Sequence, residues 1–178
     1  LKELNKDTVA YLKVNNTNID YVVVQGKDNE YYLTHNFNKE NNKSGWIFMD
    51  FNNKLDGEDK NITMYGHNTV DKSMFGSLRR GLTDEWYEKE ENRKVILVTE
   101  NGMNKYEVFS TYKIEKEDYY IRTYFKDEEE FGRFVKELKS RSIYDYKVDV
   151  SSNDKILTLS SCIGDGTKRV VLHAKLVK

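Results

Sequence analysis

The C-terminal stretch from Lys155 to Val177 leaves the chain few ways to fold. It holds two apolar runs, K-I-L-T-L-S-S-C and K-R-V-V-L-H-A-K-L-V, joined by I-G-D-G-T. Side chains of a strand alternate between its two faces. In the first run Leu157, Leu159 and Ser161 share one face, and Thr158, Ser160 and Cys162 the other. In the second, Val170, Leu172, Ala174 and Leu176 are apolar together, while Arg169, Val171, His173 and Lys175 point the opposite way. Folding back through Ile163 to Thr167 matches the apolar faces if Leu159 lies near Leu172. A slip of one residue would bury Arg169, so the register is well specified. It sets Cys162, the only cysteine, directly beside Arg169 on the face away from the core. Opposed Cβ atoms lie roughly 5 Å apart, close enough for a sulfur to feel a guanidinium.

The rest of the chain reads mainly as strands. Val9–Val14 and Ile19–Val24 flank N-N-T-N, a hairpin pattern. Gly45–Asp50 and Asn61–Tyr65 are two more short strands, and Arg93–Thr99 and Asn104–Glu115 flank Asn101-Gly102, a strong hairpin signal. Helices are few. Leu1–Asp7 reads as a short helix and Asn29–Thr34 as a turn or two, and Met74–Glu91 holds one or two short helices broken near Gly81. The clearest helix spans about 127–140, where Phe131, Phe134, Val135 and Leu138 make one stripe and Asp127 with Glu130 makes a capping pair. The whole is expected to be one domain over 1–178, mostly β and mostly antiparallel, in a closed barrel with peripheral helices.

Composition excludes some function classes. Lys+Arg 29 against Asp+Glu 30 leaves a net charge of -1, without the basic footprint that nucleic acid requires. One cysteine rules out an internal disulfide and a cysteine-based zinc site. No apolar run has the length of a membrane span.

Two readings of Cys162 stand on residue type alone: a thiol filling space at a strand end, or a nucleophile. The neighbouring Arg169 and the polar face favour the second. A thiol nucleophile needs a base or acid partner, and there are three histidines. His35, in T-H-N-F, reads as a surface loop residue, and His173 as an ordinary strand histidine. His67 follows the strand N-I-T-M-Y and Gly66, at a strand end, where catalytic groups are often carried on a rigid sheet.

Together T-L-S-S-C at 158–162, Arg169 and Y-G-H-N at 65–68 resemble the sortases, specifically those of class B. N-T-N-I-D-Y-V-V-V-Q-G-K-D-N-E-Y-Y-L at 16–33, G-W-I-F-M-D at 45–50 and S-M-F-G-S-L at 73–78 carry the resemblance over nearly the whole chain, as does the helix before the cysteine strand. Ser161 stands where the family usually has Thr, and Asp165 cannot be matched to a family acid. The resemblance implies an eight-stranded barrel enzyme that cuts a C-terminal sorting signal of secreted proteins and passes the new carboxyl end to a cell-wall amine. Cys162 would be the thiolate nucleophile, His67 the acid and base, and Arg169 the oxyanion or backbone holder; Ser160, Tyr65 and Leu33 would line the peptide groove. It further implies a peptidoglycan precursor as amine partner and no cofactor or metal. The expected place is the outer face of a Gram-positive cell membrane, with an anchor upstream of Leu1.

Two other classes stand beside this one. A papain-like hydrolase starts a helix with its cysteine and carries its histidine downstream, the reverse of what is found here. A binding module on the same barrel would use Cys162 for packing alone, and thiol alkylation separates it from an enzyme.

Overall fold

Short β-branched runs separated by polar turns give eight strands: β1 (Thr8–Val14), β2 (Asp20–Val24), β3 (Phe48–Met49), β4 (Asn61–Gly66), β5 (Lys94–Thr99), β6 (Gly102–Glu115), β7 (Ile156–Ile163) and β8 (Lys168–Leu176). The computed structural model describes residues 2–163 and 166–177, with the backbone alone at 162 and 163. The strands close into a barrel in the order β1-β2-β3-β4-β7-β8-β6-β5. Pairing is antiparallel except at β2–β3 and β4–β7. The β1–β2 turn is tied by Thr17, whose hydroxyl donates to the Val14 carbonyl at 2.8 Å and accepts from the Ile19 amide at 3.0 Å. At the β5–β6 turn Gly102 takes φ +120°, which an L side chain resists, and pairs with Thr99.

Among the described residues the barrel has three apolar clusters, the smallest being Val24, Tyr32 and Phe48. Leu12, Val23, Met64, Leu97, Leu159 and Leu172 fill its interior. Outside it, helix α2 (Glu128–Ser140) lies on the sheet and buries Phe131, Phe134, Val135 and Leu138 completely against Phe109, Ile156 and Val171. Full burial of such side chains is worth roughly 1.5–3 kcal/mol each, which fixes α2 in place. Asp127 caps the helix, its carboxylate accepting from the Glu130 amide at 2.8 Å. Between Gly76 and Arg93 the chain makes two 3-10 turns around the short helix α1 (Asp84–Tyr87).

Three expectations need correction. Residues 2–7 form turns, not a helix. Asn5 is buried there, donating to the Tyr32 hydroxyl at 3.0 Å and the Phe37 carbonyl at 2.8 Å, while its own side-chain carbonyl accepts from the Asp7 amide at 2.9 Å. Those side-chain bonds compete with a helical turn. Only Phe48 and Met49 of the expected strand at 45–50 join the ladder, because Gly45 is left-handed at φ +57° and Trp46 donates its amide to the Tyr32 carbonyl instead. The polar face of the last hairpin is not open to solvent along most of its length. Thr158, Ser160, Val171 and His173 are buried under α2 and the 3-10 turn Tyr119–Ile121, and the face is partly exposed at its two ends, near Arg169 and Lys175.

Candidate active site

The last hairpin pairs as its alternation demands, with Leu159 opposite Leu172 and Cys162 opposite Arg169. On its other side β7 runs parallel to β4, with Tyr65 beside Ser160 and Gly66 beside Ser161. The ladder ends there, with His67 the next residue after Gly66 and Cys162 the next after Ser161. Three neighbouring strands, β4, β7 and β8, thus carry the expected catalytic residues, with His67 just past the end of β4.

His67 is held from two sides. Its imidazole Nε2 lies 2.7 Å from the Leu33 carbonyl, and its own carbonyl accepts from the Phe75 amide at 2.9 Å. Gly66 is the last residue of β4. A Cβ there would stand 2.5 Å from Ile47 Cδ1 and 2.8 Å from Phe75 Cγ, so the strand can approach its neighbours only without a side chain. Arg169 donates through Nη1 to the carbonyls of Gly166 and of Lys168, the latter at 3.0 Å, which ties the guanidinium to the β7–β8 turn. Asp165, which cannot be matched to a family acid, lies outside the described residues.

Leu33, Tyr65, Ser160 and Arg169 line one cleft of about 190 Å³. Its floor is rigid. The Tyr65 hydroxyl donates to Asp50 Oδ2 at 2.7 Å, and Asn29 Nδ2 reaches the same oxygen at 2.9 Å. Burial, and then the Asp50 charge, raise the Tyr65 phenol far above its ordinary range, so it stays a donor. Ser160 is 4% exposed and shares a hydrogen bond of 2.9 Å with the Tyr120 hydroxyl. Sequence reasoning missed Asn29, Tyr120 and Ile121, which also line the cleft. The only signal was the apolar Y-Y-I set in an acidic and basic stretch before α2.

The other histidines fall elsewhere. His35 stacks on Tyr31 with ring centroids 4.0 Å apart and bonds to the Tyr31 carbonyl, a local loop arrangement. His173 is fully buried, its Nε2 2.8 Å from the Tyr112 hydroxyl and its Nδ1 2.9 Å from the Thr158 hydroxyl. Burial, helped by the Arg141 charge, pushes its pKa down to about 3. The folded value lies below the unfolded one of about 6.5, so the unfolded chain takes up protons first as pH falls. Stability is therefore full above pH ~6.5 and is lost below it, by about 1.4 kcal/mol per pH unit from this group. We expect the urea midpoint to fall between pH 6.5 and pH 5, and a His173→Gln variant to be less stable but flatter over that interval. An undiminished slope in the variant would remove His173 as the source.

Among the described residues no group of His, Cys, Asp and Glu could hold a metal ion, and no helix is long and apolar enough to cross a membrane.

A closed barrel that presents a cysteine strand beside a histidine loop and an arginine defines a cysteine acyl-transfer enzyme. The Sortase domain family model matches residues 12–177. Sortase B of Staphylococcus aureus is 39% identical over 183 residues, spanning 100% of this chain and 73% of the relative. Sortase B of Listeria monocytogenes is likewise 39% identical, over 99% of this chain and 72% of the relative. The crystal structure of Clostridium perfringens sortase B superposes with a TM-score of 0.93 at 39% identity, over 99% of this chain and 97% of that one. A Staphylococcus aureus sortase B–substrate complex gives 0.93 at 37% identity, covering 99% of this chain and 82% of that one. The chain belongs to the sortase family, in its class B, and is a sortase-type cysteine transpeptidase acting on sorting signals.

Proposed function

We propose that Cys162 attacks the carbonyl of a threonine in the sorting signal, and that the acyl group then passes to an amine of a peptidoglycan precursor. The observation that carries this is the pair of ladders flanking β7, which put Arg169 opposite Cys162 and His67 one step past the Gly66–Ser161 pair. Attack by the thiolate opens the carbonyl to a tetrahedral oxyanion, which the Arg169 guanidinium neutralises. Collapse breaks the peptide bond, and the His67 imidazolium gives its proton to the leaving amine. A thioester remains. The incoming amine attacks it, His67 takes the proton back, and the thiolate leaves. Leu33, Tyr65 and Ser160 would hold the peptide along the cleft. One solved sortase B structure is a complex with triglycine, which supports an amine of that kind as second substrate. We place the enzyme on the outer face of a Gram-positive cell membrane.

The test is incubation with quenched peptides carrying class B-like sorting signals, with and without an oligoglycine amine. Cleavage with a transfer product is the expected result. Cleavage that never yields transfer would leave a thiol protease, and no turnover with any peptide would leave a binding module.

Arg169→Lys is expected to be far from conservative. Lysine keeps the charge but loses the planar fork, and losing one oxyanion donor typically costs on the order of 100-fold in rate. Rates within a few-fold of wild type would show that charge alone suffices.

A further inference from the structure

The Leu33 carbonyl that holds His67 is itself held in an unusual way. It belongs to the 3-10 turn Tyr31–Leu33, whose start is capped by Asp28: Oδ1 accepts from the Glu30 and Tyr31 amides, each at 2.8 Å. The turn's centre is pinned by Tyr32, which is 1% exposed and donates its hydroxyl to Asp7 Oδ2 at 2.7 Å. The returning segment then closes over it. Trp46 donates its amide to the Tyr32 carbonyl at 2.9 Å and Asn42 its amide to the Thr34 carbonyl at 2.8 Å. Between these two contacts lies Gly45, at φ +57°. A Cβ at Gly45 would stand 2.3 Å from the Tyr32 oxygen and 2.8 Å from the Leu33 oxygen. Both are backbone atoms and cannot swing aside. The second is the atom on which the imidazole rests.

We propose that Gly45 is a positioning residue for His67, acting through the Leu33 carbonyl, and that this contact selects the histidine's tautomer. A carbonyl oxygen can only accept, so the His67 Nε2 must carry a hydrogen for the 2.7 Å contact to be a bond. Neutral His67 is then the Nε2–H form, and Nδ1 is the nitrogen that takes and returns the catalytic proton. The Leu33 side chain lines the cleft while its carbonyl grips the imidazole, so one residue of the turn touches both the peptide site and the acid. The kinetic part rests on the function proposed above. The tautomer part does not.

Gly45→Ala is the direct test, read by the 15N spectrum of His67 and by steady-state kinetics on a cleaved peptide. The expected result is loss of the pure Nε2–H pattern together with a turnover rate lowered by about 10-fold or more, as a misplaced catalytic group produces, while KM changes only a few-fold. Gly57→Ala is the control. It has the same left-handed strain, at φ +88°, but nothing lies within 4 Å of a Cβ there, so turnover and the His67 spectrum should stay as in wild type. Should Gly45→Ala fail to fold, Asp28→Ala decides, because Asp28 is exposed and its loss frees the turn without opening the core. It should move the His67 spectrum and the turnover rate in the same direction by a smaller amount. A folded Gly45→Ala, or in its absence Asp28→Ala, with a wild-type His67 spectrum and wild-type turnover would overturn the proposal. Wild-type protein that cleaves no sorting peptide would instead count against the function, and the spectrum would still report the tautomer.

Discussion

Cys162→Ala is expected to abolish peptide cleavage and acyl transfer together, by roughly 10,000-fold or more, as removal of a nucleophile does when its partners act with it as a unit. The fold should survive. Residue 162 is placed by backbone pairing, with Arg169 opposite on β8, and alanine keeps every one of those backbone groups. The interior of the barrel at this hairpin is filled by Leu157, Leu159, Val170 and Leu172, none of which the change touches. Thermal midpoint and far-ultraviolet dichroism should therefore match wild type while turnover vanishes. Cleavage by the alanine protein at more than a small fraction of the wild-type rate would show that another group attacks the carbonyl.

The second large effect is expected at His67. Positioned acid–base catalysis contributes roughly 100- to 10,000-fold, so His67→Ala should lose activity on that scale without losing structure. Wild-type activity should rise and then fall with pH, because one partner must be protonated and the other not. His35→Ala should leave the rate nearly unchanged, since that ring is occupied with Tyr31 and Thr34 in its own loop. A His173 variant should show its defect in the unfolding curve, because that imidazole is enclosed by Tyr112 and Thr158. Measured at matched folded concentrations, a loss in His173→Gln as deep as in His67→Ala would reverse the assignment of the acid.

The last hairpin and its register are legible in the sequence because apolar alternation on both strands admits one pairing. Helix α2 is legible for the same reason, through a stripe at helical spacing and a capping pair. The cleft walls are harder to read. Leu33, Asn29 and Tyr120 come from two short 3-10 turns and a loop, where no periodicity marks which side chain points inward. The outward face of β7 and β8, lined by hydroxyls and a histidine, reads as lying away from the core. Burial there depends on α2 folding over it, and the Tyr120–Ser160 and Tyr112–His173 bonds satisfy the polar groups so enclosed. The first residues mislead in the opposite sense, since the helical composition of 1–7 yields to the buried Asn5 side chain.

The parallel join of β4 to β7 carries a consequence for how the enzyme comes into being. Thr158 and Asn61, hydrogen-bonded across that join, are 97 residues apart, with β5, β6 and α2 threaded between them. Contacts at such separation form late, because the loop they close must first be drawn in against its entropy. The thiol and the imidazole come from the two sides of this seam. A chain halted partway to the native state, with its hairpins made but the seam open, holds a cysteine with no acid beside it. Reactivity is thereby withheld until β7 docks on β4, and the rate at which the thiol gains its activity reports the closing of the barrel itself.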